Sequence, residues 1–183
     1  MNEGKREKML RSVVLRFAGV LTGLLILVFA APAAHAQITV GGHVGFVIPW
    51  VTHSGGQTTN IGDNFQIGFP LGVSFHGQGR TTIDLEMVPS FSDSPRAVTL
   101  TVDPGVVWSI DKGWSAGLRA AFDVNSPTVG FIPLVNKSWK FKDQKGFFKA
   151  YFVEVDLPVK FSRPTGGPAT NSVTFATHFG LGF

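Results

Sequence analysis

From residue 37 onward the chain shows no helical period; large apolar residues recur at every second position in short runs separated by clusters of Gly, Asn, Asp, Ser and Pro. A period of two puts one apolar and one polar face on a strand. Eight such runs can be traced. The first, ITVGGHVGFVIPW, sets Ile38, Val40, Val44, Phe46, Ile48 and Trp50 against Thr39, His43 and Val47. NFQIGFPLGVSFHG sets Phe65, Ile67, Phe69, Leu71, Val73 and Phe75 against Gln66, Gly68, Gly72, Ser74 and His76. TTIDLEMVP opposes Ile83, Leu85 and Met87 to Asp84 and Glu86, and AVTLTVDPGVVWSI opposes Val98, Leu100, Val102, Val106 and Trp108 to Thr99, Thr101, Asp103 and Ser109. WSAGLRAAFDV turns Trp114, Leu118, Phe122 and Val124 away from Ser115, Arg119 and Asp123. The sixth run, VGFIPLVNKSWKF, is the least regular: Val129, Phe131, Val135, Trp139 and Phe141 oppose a face that still holds Ile132 and Leu134. AYFVEVDLPVKF separates Tyr151, Val153, Val155, Leu157, Val159 and Phe161 from Glu154, Asp156 and Lys160. The eighth, NSVTFATHFGLGF, alternates Val173, Phe175, Thr177, Phe179, Leu181 and Phe183 with Ser172, Thr174, Ala176, His178, Gly180 and Gly182.

The connections alternate as well. Residues 51–62, 90–97 and 162–171 read as long loops, and GQGR, DKG and KDQKG between them as tight turns, with the short 125–128 segment as the exception. Long loops at one end, turns at the other and an even strand count are the wiring of an outer-membrane barrel. Pro49, Pro70, Pro89, Pro104, Pro133 and Pro158 fall within or at the ends of these strands. Proline cannot donate to a ladder, so each is expected at a bulge or a widened gap.

Which face points inward is a question of volume. An eight-stranded barrel has an interior just wide enough for side chains to fill it. The Phe, Val, Leu, Ile and Trp faces are too bulky for that space, so the face of Gly, Ala, Ser, Thr and charged residues goes inside. The apolar face then meets a bilayer, and the runs reach the roughly 9–11 residues that a membrane strand needs. Trp50, Trp108, Trp114, Trp139 and Tyr151 fall near strand ends, where aromatic girdles sit.

The first 36 residues differ. Lys5, Arg6, Lys8, Arg11 and Arg16 precede an uncharged apolar run that closes on Ala34-His35-Ala36. A basic region, an apolar region and a small-residue site make a secretory signal peptide, here with cleavage after Ala36 and Met9 as an alternative start. An uncleaved anchor is the competing reading. This segment carries five of the 16 Lys+Arg and two of the 12 Asp+Glu, which leaves 11 against 10. The basic pI is therefore mostly the leader's, and a nucleic-acid partner loses its electrostatic support. The chain has no cysteine, which excludes disulfides and thiolate metal sites. Residues 37–183 fit one domain.

On these residues, "YFVEVDLPVKF", "NFQIGFPLGVSF" and the alternation ending in Phe183, the chain resembles the outer membrane β-barrel domain family of small OmpA/OmpX-like barrels. The resemblance implies an all-β, eight-stranded antiparallel up-and-down transmembrane barrel in the outer membrane. It also implies that Phe179, Leu181 and Phe183 form the C-terminal signal read by the barrel-assembly machinery. The family's usual glycine five residues before the end is replaced here by His178.

Asp84, Glu86, Asp103, Asp123, Glu154 and Asp156 share the interior face with Arg119, Lys160, His43, His76 and His178. They are expected to form a polar network that plugs the lumen, because charges in a low-dielectric interior must be paired. A proton or cation path is the rival use of the same groups. No histidine and acid stand at a local ligand spacing, so neither a metal nor a cofactor is expected. Ser172 and His178 with Glu154 or Asp156 could make a lipid hydrolase triad, which requires hydrogen-bond reach between its members. "KSWKFKDQKGFFK" interleaves lysines with aromatics, and Lys140 and Lys142 are expected to anchor the rim at lipid phosphates. The expected protein is a non-enzymatic envelope barrel whose partners are outer-membrane lipid and the assembly machinery, with no nucleic acid. A lipid-modifying barrel enzyme and a secreted soluble β-barrel that binds an apolar ligand are the alternatives.

Overall fold

The computed structural model describes residues 38–163 and 166–183, so the segment read as a signal peptide lies outside the described residues. Eleven strands form one antiparallel sheet: β1 (Thr39–Ser54), β2 (Gln57–Asn60), β3 (Gln66–Gly68), β4 (Leu71–His76), β5 (Thr81–Asp93), β6 (Arg96–Asp111), β7 (Trp114–Asp123), β8 (Thr128–Lys140), β9 (Ala150–Asp156), β10 (Val159–Ser162) and β11 (Thr170–Gly182). β1 pairs with β11 from His43↔Gly182 to Ser54↔Ser172, so the sheet closes on itself. β3 and β4 together occupy one position between β1 and β5, and β9 and β10 together occupy one between β8 and β11. Eight ring positions result, with β2 paired to the upper part of β1 alone. The lower end carries Thr39, Gly182 and the connections 77–80, 112–113 and 141–149; the upper end carries the remaining turns.

Alternation decides which residues point where. Phe46, Phe69, Leu85, Leu118, Phe131 and Phe175 are exposed on the outer wall. Asp84, Glu86, Asp103, Arg119, Glu154 and His178 are buried within. The irregular sixth run follows the same rule, and Ile132 and Leu134 lie inside. Phe152 and Val88 join them, so the interior is not purely small and polar. Outside, aromatic pairs stack across strands: Phe46 with Phe179 at 5.3 Å, Phe131 with Phe161 at 6.3 Å.

Two of the loops expected from sequence are strand instead. Residues 90–93 and 96–97 continue β5 and β6 to a two-residue turn at Ser94 and Pro95, and most of 51–62 is the β1–β2 hairpin around Gly55 and Gly56. Both glycines have positive φ, 57° and 80°, which the turn requires. At the lower end, the connection 141–149 is longer than the turn at 94–95, so loop length does not separate the two ends. Polar turn residues such as Ser, Thr and Asp satisfy a strand as well as a loop when both neighbours are exposed, which is why composition misjudged them.

The prolines divide into two groups. The β1–β11 register shifts between Pro49 and Val51, and this bulge turns Trp50 and Val51 both outward. Pro70 and Pro158 sit at the breaks between β3 and β4 and between β9 and β10, and β6–β7 pairing lapses at Asp103 and Pro104 without a register shift. Pro89 and Pro133 lie in unbroken registers with β6 and β7, but on their other sides they face the breaks at Pro70 and Pro158, the widened gaps expected of them. Each is tolerated because only its donor is missing: the Pro89 carbonyl accepts from Phe69 N at 2.9 Å and that of Pro133 from Leu157 N at 3.0 Å.

Candidate functional site

The charged interior depends on glycines placed across the ladder from the largest inward side chains. His43 pairs with Gly72, Arg119 with Gly105, Phe152 with Gly180 and Lys160 with Gly130. A Cβ on Gly72 would stand 2.0 Å from His43 Cε1, one on Gly105 2.5 Å from Arg119 Cγ, and one on Gly180 2.4 Å from Phe152 Cζ. Alternating large and small residues is how a narrow closed sheet fills its taper. Here the device makes room for a guanidinium and an imidazole in the middle of the ring.

Arg119, on β7, is the hub and is 3 % exposed. Its Nε donates to Asp84 Oδ2 at 3.0 Å and its Nη1 to Glu154 Oε1 at 2.7 Å, while Nη2 lies 2.9 Å from Asp84 Oδ2 and 3.5 Å from Glu86 Oε2. The guanidinium fork thereby ties β4–β5 to β9 through one side chain. The carboxylates are held in turn. Ser74 Oγ donates to Asp84 Oδ1 at 2.7 Å, Asn136 Nδ2 to Glu154 Oε2 at 3.1 Å, and His43 Nε2 to Glu86 Oε2 at 2.5 Å. His178 Nδ1 approaches Glu154 Oε1 at 3.5 Å and Glu86 Oε2 at 4.0 Å. Higher in the ring, Lys160 Nζ donates to Asp123 Oδ1 at 2.7 Å and to Thr101 Oγ1 at 3.2 Å, and Thr101 Oγ1 donates to Asp123 Oδ1 at 2.7 Å.

The network is not closed. Asp103 Oδ1, Asp156 Oδ1 and His178 Nε2 are buried without a hydrogen-bond partner. Asp103 and Asp156 border a cavity of about 320 Å³ in the upper half of the ring, whose floor includes Glu86, Arg119 and His178 and whose walls include Thr52, Gln66, Thr99, Ser172 and Thr174.

Of the residues expected to share the interior, His76 stands apart: it is exposed at the lower end, with its Nδ1 3.0 Å from Thr82 Oγ1. It has the right parity, but its place at the last residue of β4 leaves it outside the network. The proposed hydrolase pair is also not assembled. Ser172 and His178 are six residues apart on one extended strand, β11, hence separated by about 20 Å at ~3.3 Å per residue. Ser74, Asn136 and Thr101 are the members that sequence reasoning passed over, since neutral donors carry no charge signal. Their inward parity beside an acid was the available clue.

The outer rim gathers the aromatic candidates. Trp108, Trp114, Trp139 and Tyr151 lie toward the lower end, with Trp139 stacked on Tyr151 at 5.2 Å and Lys137 Nζ over the Trp114 and Trp139 rings at 5.2 and 5.6 Å. Trp50 lies toward the upper end, where its Nε1 donates to Thr177 Oγ1 at 2.8 Å. Lys140 and Lys142 are exposed beside the lower aromatic group. Phe179 and Leu181 share the outward row of β11 with Phe183, whose ring stacks on Phe147 at 4.8 Å and covers Gly42. Phe183 N donates to Gly42 O at 2.9 Å, and Gly42 N donates to Phe183 O at 3.1 Å.

No family model and no curated protein matches the chain. Among solved structures it is similar to Ail, the attachment invasion locus protein of Yersinia pestis, in complex with the heparin analogue sucrose octasulfate. The identity is 12 %, the match covers 79 % of this chain and 98 % of that one, and the TM-score is 0.35.

Proposed function

We propose that the chain is a small transmembrane β-barrel of the outer membrane, non-enzymatic, with a structural or surface-contact role in the cell envelope. The observation that carries this is the inversion of the ring: Phe, Leu, Val, Ile and Trp are exposed around the outer wall while carboxylates and a guanidinium are buried inside. Soluble monomers rarely expose a contiguous apolar patch beyond a few hundred Å². A hydrocarbon phase satisfies such a wall, and a closed antiparallel sheet leaves no unpaired edge in it. β1 and β6 at 16 residues each and β5, β8 and β11 at 13 each are long enough to cross. The soluble alternative needs an apolar interior for its ligand, and the Arg119 cluster occupies that space.

The lower belt of Trp108, Trp114, Trp139 and Tyr151 with Lys140 and Lys142 supports an interfacial anchor at lipid headgroups. The partners follow: outer-membrane lipid along the wall and, during biogenesis, the assembly machinery meeting the outward row Phe179, Leu181 and Phe183. The polar β1–β2 hairpin, with Gln57–Asn60 exposed, is the surface offered for contact at the upper end. Cell fractionation with unheated and heated gel electrophoresis tests the proposal. Recovery with the outer membrane and a heat-dependent mobility shift is expected. Recovery from the soluble periplasm without a shift overturns it.

A further inference from the structure

We infer that Glu154, Asp156 and His178 form a divalent metal site beside the interior cavity that Asp156 and His178 line. One ligand atom from each lies within 4.8 Å of the others, close enough for small side-chain adjustments to bring all three onto one ion. The strand register builds this arrangement. Glu154 and Asp156 stand two apart on β9 and point the same way, and Glu154 faces His178 on β11. Asp156 has Leu134 on one flank and Ala176 on the other, neither of which has a side-chain donor. That is why its Oδ1 is left unpaired, although the residue is only 5 % exposed.

The interior holds more acidic than basic side chains. Asp84, Glu86, Asp103, Asp123, Glu154 and Asp156 face Arg119 and Lys160. Burying an unpaired carboxylate is costly, and a bound metal removes the cost by direct coordination. Glu154 retains lone pairs for a metal while its oxygens accept from Arg119 and Asn136, and those two donors fix its orientation. The second candidate grouping, His43, Glu86 and His178, is weaker because His43 Nε2 already donates to Glu86 at 2.5 Å. Two carboxylates with one imidazole favour a borderline ion such as Zn²⁺ over Ca²⁺ or Mg²⁺, which prefer oxygen alone. The cavity bordered by Asp156 and His178 supplies space for the ion and its waters.

The inference uses only the interior of the closed ring, so it stands apart from the membrane assignment. The test is calorimetric titration of Zn²⁺, with Ca²⁺ and Mg²⁺ in parallel, into the folded full chain stripped by a chelator. One Zn²⁺ per chain is expected, bound more tightly than Ca²⁺ or Mg²⁺. Asp156→Asn and His178→Gln should each weaken it at least about tenfold while the heat-dependent mobility is kept. Absence of Zn²⁺ binding, equal affinity for Ca²⁺, or wild-type binding by Asp156→Asn overturns the site. Should the variants not fold, the wild-type chain loaded with Cu²⁺ decides: nitrogen coupling from one imidazole in its electron paramagnetic resonance spectrum supports the site, and a spectrum without nitrogen coupling rejects it.

Discussion

The lower and upper halves of the ring interior are built on opposite terms. Below the Arg119 level, His43 and Phe152 fill the cross-section, each against a glycine that leaves no space for even a methyl group. Above it, the wall is Thr52, Gln66, Thr99, Ser172 and Thr174 around a cavity of about 320 Å³. The charged network lies where the two meet, with its lower members satisfied by Ser74, Asn136 and His43 and with unpaired oxygens on Asp103 and Asp156 at the cavity. The difference teaches that one end is a packed plug and the other an open vestibule. An eight-stranded ring is narrow enough to be closed by a few large side chains, and wide enough to stay open where they are absent.

The strongest way to break that division is at its boundary. Arg119→Met removes the guanidinium shared by Asp84, Glu86 and Glu154 and leaves them buried together. A loss of about 3–5 kcal/mol is expected, the cost of breaking a buried ion pair from one side. The urea midpoint of the folded band measures it. Arg119→Lys should recover little, because an ammonium cannot span Asp84 and Glu154 as the guanidinium fork does. A midpoint within error of wild type for Arg119→Met would show that the plug does not depend on its hub.

Next in size is a test of the packed half alone. Gly72→Ala places a methyl group against three atoms of the His43 ring, and a loss of about 1–3 kcal/mol is expected from overpacking. Combining it with His43→Ala should return part of that loss, a coupling of roughly 1–2 kcal/mol in a double-mutant cycle. Strict additivity would mean that the two side chains do not compete for one space.

A smaller effect, of opposite sign, is expected at the open boundary. Asp103 faces Glu86 across the β5–β6 ladder and keeps Oδ1 unpaired at 3 % exposure. Asp103→Asn removes a like charge from Glu86 and should raise the unfolding free energy by about 1 kcal/mol, read as a higher urea midpoint. A decrease would mean that Asp103 has a cationic partner in solution.

Much of this was legible in the alternation. The inward parity of Asp84, Glu86, Arg119 and Glu154 follows from a period of two, because a one-residue slip would expose every one of them. The pairings were not legible, since they depend on register between strands far apart in the chain; Arg119 and Asp84 are 35 residues apart. Glycine was the unread signal. Gly72, Gly105, Gly130 and Gly180 look like weak strand positions in the sequence, and each proves to be the space for a large partner. Residues 90–97 were misjudged because exposed Ser, Asp and Pro mark a hairpin tip as readily as a long loop.

The smallest expected effect makes the sharpest contrast with the packed half. Thr99 lies on the cavity wall and forms no side-chain hydrogen bond among the described residues, so Thr99→Leu adds more bulk than Gly72→Ala does, but into open space. A change within about 0.5 kcal/mol is expected, as for a surface substitution. The same urea series measures it alongside Gly72→Ala. If the larger addition above costs as much as the single methyl group below, the vestibule is closed in solution and the two halves are packed alike. If it costs nothing while Gly72→Ala costs more than about 1 kcal/mol, available volume separates plug from vestibule, because neither substitution adds or removes a charge.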